Sequence, residues 1–72
     1  MKKHPSSFAE RLKELRTEKG LSQLQLANVA GGPSYSAIGH WELNKRTPNL
    51  GDAVKLAEFF GVTVGYLAGV ED

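Results

Sequence analysis

The chain has 72 residues, 40% of them hydrophobic and 24% charged, with a formal net charge of +1. That length bounds it to one small domain, and so large an apolar fraction argues against disorder. With no cysteine and only two histidines, His4 and His40, it is excluded from disulfide frameworks, thiol catalysis and cysteine-based zinc sites, and it has too few ligand residues for a metal cluster.

No apolar run is long enough to span a bilayer, and no apolar stretch follows Lys2-Lys3 as a signal peptide would require. The expectation is a soluble cytoplasmic protein with no membrane partner and no cofactor. Charge is unevenly placed: Lys2, Lys3 and His4 stand at one end, Lys45 and Arg46 past the middle, and Glu71 and Asp72 close the chain. Without that acidic pair, nine basic residues would face six acidic ones. On charge alone an ordinary solvated surface weighs as much as one that meets a polyanion.

Residues 1–6 show no periodicity and read as a flexible tail, with the domain proper over 7–70 and an acidic end at 71–72. Ser7-Phe8-Ala9-Glu10 is a capping box, so a first helix is expected from Phe8 to Lys19. Phe8, Leu12 and Leu15 repeat at helical spacing, and Gly20 is the stop. Ser22 caps a second helix over 23–30, with Leu26, Ala27 and Ala30 facing inward. Gly31-Gly32-Pro33 ends it, because glycine admits positive φ and proline cannot continue a helix.

Ser34 caps a third helix over 35–42. Ile38 and Trp41 lie three apart on one face, which makes Trp41 a core residue rather than a platform for stacked bases. Tyr35, Ser36, Gly39 and His40 fall away from that face. A glycine inside a helix costs about 1 kcal/mol relative to alanine, so Gly39 either serves a close approach or is tolerated drift. Leu43 to Pro48 is a polar connector. Asn49 caps a fourth helix over 50–60, striped by Leu50, Ala53, Ala57 and Phe60 with Val54 and Leu56 flanking, and Gly61 ends it. Thr63 opens a short fifth helix, Val64 to Ala68. Five helices with short connections and no internal repeat predict a compact all-α fold. Two short helices joined by a tight glycine-containing turn, the second apolar on one side and hydrogen-bonding on the other, form a helix-turn-helix pattern. In that motif the second helix enters the DNA major groove.

Several stretches together resemble the lambda-repressor-like family, the Cro/cI or Xre-type helix-turn-helix proteins of phages and bacteria. They are Leu15-Arg16-Thr17-Glu18-Lys19-Gly20-Leu21-Ser22-Gln23, Leu26-Ala27, Ile38-Gly39-His40-Trp41-Glu42, Pro48-Asn49-Leu50, Leu56-Ala57 and Phe60-Gly61-Val62-Thr63. The resemblance runs from Phe8 to Gly69 and implies a five-helix bundle. One departure is the turn between the motif helices, which is one residue longer here than the common pattern. The extra residue is placed in Gly31-Gly32, so the resemblance does not carry over the angle of the second motif helix or its contact register.

By resemblance, Tyr35, Ser36 and His40 occupy base-reading positions. Ser36 donates or accepts and discriminates weakly, His40 bonds a purine edge, and Tyr35 touches a thymine methyl or a phosphate. None forms the bidentate pairs that give strong readout, so each base contact is expected near the low end of ~1–3 kcal/mol. Ser22, Gln23 and Ser34, at helix N-termini where free N–H groups favour phosphate, are the implied contacts to the DNA backbone, with Asn44, Lys45 and Arg46 after the recognition helix. Against each stands a plainer reading as a solvent-facing or capping residue. Arg16 and Glu42 are implied to form a structural ion pair tying the first helix to the third, and a phosphate contact by Arg16 is compatible with that pair. Leu24, Leu43 and Phe59, with Tyr66, Leu67 and Val70, either form a self-association patch or pack internally. Two-fold dimers of this motif read palindromes whose half-sites lie ~34 Å apart.

The leading expectation is therefore a sequence-specific DNA-binding transcriptional regulator, a repressor, binding double-stranded DNA as a dimer on a palindromic site. The second is a protein-interaction module of antitoxin or immunity type with a protein partner. Enzyme activity is not expected: there is no thiol, no histidine–carboxylate cluster at motif spacing and no phosphate-cradling loop, since no strand precedes Gly31-Gly32. At this length no separate sensor domain is expected.

Overall fold

Each helix starts where a side-chain oxygen meets a free backbone amide. The computed structural model describes residues 7–71. The tail expected over 1–6, with Lys2, Lys3 and His4, and the terminal Asp72 lie outside the described residues. The helices are α1 (Phe8–Glu18), α2 (Gln23–Ala30), α3 (Tyr35–Glu42), α4 (Leu50–Phe60) and α5 (Val64–Ala68). Ser7 and Ser22 head reciprocal capping boxes with Glu10 and Gln25. Ser34, Asn49 and Thr63 each accept from the amide three residues on. Each cap contributes about 1 kcal/mol to helices too short to hold alone. α1 stops one residue before the expected Lys19, which serves instead as its cap.

α3 ends on a residue with a backbone task of its own. Asn44 has φ +62°, the one positive φ outside glycine among the described residues. Its amide donates to the Trp41 carbonyl at 3.0 Å and that of Lys45 to His40 at 2.9 Å. This is the Schellman closure, in which asparagine is the usual substitute for glycine.

The core takes at least one residue from every helix: Leu12, Leu26, Ile38 and Trp41, Leu56 and Ala57, and Leu67. Trp41 is 4% exposed and its ring meets Phe8 edge-on at 5.9 Å. α3 packs against α1 and α2, α5 against α1 and α4, and α2 against α4. All regular structure among the described residues is helical, and no helix is long and apolar enough to cross a membrane.

Two expectations are corrected by the packing. In α4, Leu56 is fully buried rather than flanking, while Leu50 is 72% exposed. Leu50 is the first helical residue, at the edge of the stripe and the end of the element, whereas Leu56 and Ala57 sit mid-helix over the core. Of the residues left open between a patch and internal packing, Leu67 lies in the core. Phe59 is half-buried, edge-on to Phe60 and under the Lys19 ammonium at 5.5 Å. Leu24, Leu43 and Val70 are exposed.

Sequence reading missed Arg11. It is buried, 6% exposed. Its Nη1 donates to the carbonyls of Tyr66 and Glu71, both at 3.1 Å. The guanidinium carbon stands 4.1 Å from the centroid of the Tyr66 ring. One side chain thus ties α1 to α5 and to the residues after it, through charge-assisted hydrogen bonds and a cation–π contact.

Candidate nucleic-acid interface

α3 is held by its inward residues, Ile38 and Trp41, and presents the opposite face outward. Tyr35, Ser36 and His40 are all exposed on that face. Its first turn is fixed by Ser34, whose Oγ accepts from the Ala37 amide at 3.1 Å. The cap fixes the backbone and leaves the Ser34 hydroxyl hydrogen for an external acceptor. Ser22 is placed alike at the start of α2: its Oγ accepts from the Gln25 amide at 3.0 Å and its own amide donates to Gln25 Oε1 at 2.8 Å.

Beside α3 the chain turns back along Arg46, Thr47 and Pro48 into α4, enclosing an open groove of about 370 Å³. Ser36 and His40 line it from α3, and Arg46, Asn49 and Asp52 line it from the connector and α4. Sequence-predicted residues from two separate stretches, Ser36 with His40 and Arg46, are therefore brought together. Tyr35 lies outside the groove on the exposed first turn, and Asn44 and Lys45 are exposed beyond the last. Asp52 is a carboxylate on this rim that the sequence reading treated only as a helix-start residue. Its amide is held by Asn49 Oδ1 at 2.8 Å.

Behind the interface lies a polar node. Arg16 Nε donates to Glu42 Oε2 at 2.6 Å, Nη2 to Glu42 Oε1 at 2.8 Å, and Nη1 to the Leu21 carbonyl at 2.8 Å. The two side chains are 12% and 5% exposed. All three guanidinium nitrogens are bonded inside the protein. Gln23 Nε2 adds a third bond to the same carboxylate, 3.1 Å to Oε1. One amide hydrogen of Gln23 is thereby engaged and the other is left for an external acceptor. Burial pushes the Glu42 carboxyl up, but the hydrogen bonds from Arg16 and Gln23 and the nearby charges outweigh it and hold the group below its ordinary 4.5. The Arg16 guanidinium is raised by its hydrogen bond to Glu42, against the opposing effect of burial. The node joins α1, the start of α2 and the end of α3, so the two motif helices are locked at the ends where they approach.

Comparison with known proteins adds the following. A family model described as Helix-turn-helix matches residues 12–67. The SPbeta prophage-derived uncharacterized HTH-type transcriptional regulator YonR of Bacillus subtilis (strain 168) is 38% identical over 60 residues, covering 83% of this chain and 55% of that protein. The HTH-type transcriptional activator BcrR of Enterococcus faecalis is 40% identical over 65 residues, covering 90% of this chain and 31% of that protein. The chain thus spans about half the length of one curated relative and a third of the other. No solved structure matches.

Proposed function

Because the chain belongs to the lambda-repressor-like, Cro/cI-type helix-turn-helix family, we propose that it is a sequence-specific DNA-binding transcriptional regulator that reads the major groove with α3 and represses. The observation that carries this reading is the outward polar face of Tyr35, Ser36 and His40 on a helix fixed from behind by Ile38 and Trp41. Base contacts fall to those three residues. Phosphate contacts, which position the protein without reading sequence, fall to Ser22, Gln23, Ser34, Asn44, Lys45 and Arg46. A two-fold dimer on a palindrome matches the reach of the motif, since one α3 reads a single half-site. Repression by occlusion needs only that the groove be filled, whereas activation needs a further surface for polymerase.

Selection of the purified chain against a randomised duplex library at about 0.15 M salt tests this reading. A palindrome is expected, and a reporter carrying that site upstream should fall in output when the chain is expressed. Binding without enrichment that collapses on added salt would mean non-specific contacts only. The exposed Leu24 and Leu43 would then direct the search to a protein partner.

A further inference from the structure

We propose that Lys55 is a positioning residue: from α4 it braces the turn between α2 and α3 and so sets how α3 is presented to DNA. α2 ends on Gly31 in the left-handed conformation, φ +67°, and the buried Pro33 follows two residues on. Lys55 reaches this turn from α4: its Nζ donates to the Gly31 carbonyl at 3.4 Å. That places a cation at the negative end of α2, where it is favoured.

The lysine stem uses the same turn. A Cβ built on Gly32 would stand 2.7 Å from Lys55 Cδ and 3.4 Å from Nζ. Gly32 is not among the positive-φ residues, so its backbone does not call for glycine. What the position provides is the absent side chain, and Lys55 lies across that space. Two residues further on, Ser34 caps α3 and Tyr35 and Ser36 form its first turn, the end of a recognition helix that reaches base edges. A turn released from α4 lets that end shift while the core residues Ile38 and Trp41 stay in place.

The inference rests on the DNA-reading function proposed above, so its test has one readout that needs no DNA. The variants are K55A, K55R, G32A and the double variant K55A/G32A. The first readout is amide hydrogen exchange in the free protein at Ala37 and Ile38, whose amides donate to the Ser34 hydroxyl and carbonyl in the turn that opens α3. The second is the ratio of affinities for the selected duplex and a random duplex at fixed salt. K55A is expected to speed exchange in the turn, to lower the ratio about tenfold, and to leave the melting temperature nearly unchanged. G32A, by displacing the lysine stem, is expected to do the same in the parent chain and to add nothing on top of K55A. K55R is expected to restore both readouts. Unchanged exchange in K55A would overturn the brace. Equal loss on both duplexes with a shallower salt dependence would overturn positioning and make Lys55 a phosphate contact. If the parent chain distinguishes no duplex, the proposed function fails, and the exchange measurement still decides whether Lys55 holds the turn.

Discussion

Glu42 receives three hydrogen bonds on its two oxygens, two from Arg16 and one from Gln23. Glu42→Ala would leave the Arg16 guanidinium buried beside no counter-charge, at a cost of about 3 kcal/mol or more. Small domains hold only about 5–15 kcal/mol in total, so chemical denaturation should show a loss of a large part of the stability. A midpoint within error of the parent would remove Glu42 from the list of structural residues. The same group sets a pH dependence. Its folded pKa lies below the ordinary 4.5, so the stability it contributes is fully present above that value and is lost as pH falls through the folded pKa. Melting temperature should therefore decline below 4.5, and Glu42→Gln should flatten part of that decline. The pairing of Arg16 with Glu42 was legible only through resemblance to a family, since helical spacing shows that both residues border core positions but not that they meet. Arg11 was not legible at all. Its partners are the carbonyl oxygens of Tyr66 and Glu71, 55 and 60 positions away, and every residue type carries a carbonyl.

At the scale of the element, α3 carries a glycine in its interior at a helical cost, and the structure narrows the reason. A Cβ on Gly39 would meet only Gln23 Oε1, at 3.7 Å, an ordinary contact. Among the described residues nothing requires glycine there. Gly39→Ala should therefore stabilise the fold by about 1 kcal/mol, which in a domain this small raises the melting temperature by roughly 4–8 °C. Loss of binding to the selected duplex in this more stable variant would assign the missing side chain to close approach of DNA. Unaltered binding would make the glycine drift, and a lower melting temperature would contradict the contact geometry. Helix starts were legible because Ser7, Ser22, Ser34, Asn49 and Thr63 are capping residues ahead of periodic apolar stretches. The error over Leu50 has a simple cause: periodicity gives the angle of a side chain around its helix. It does not say whether a neighbouring element extends as far as the helix end.

For the molecule as a whole, the net charge of +1 overstates what is available for attraction to DNA. Arg11 is buried against backbone carbonyls and Arg16 is bonded on all three nitrogens. Asp52 also adds a negative group to the rim of the groove. Affinity must then come from where the remaining cations stand, and in the connector between α3 and α4 these are Lys45 and Arg46. With those two on phosphate, a plot of log affinity against log salt for the selected duplex should have a slope of about −2 for one chain and about −4 for a two-fold pair. Lys45→Ala and Arg46→Ala should each make the slope shallower by about one per chain and weaken all duplexes alike. Ser36→Ala and His40→Ala should leave the slope unchanged and relax preference at single base pairs. A titration of each variant against the selected duplex and its point-mutated versions, at several salt concentrations, separates the two classes. A slope change in Ser36→Ala would move that residue to the phosphate backbone. A parent slope steeper than about −6 would require further cations on phosphate, and the weak net charge would then be a poor guide to how the chain holds its DNA.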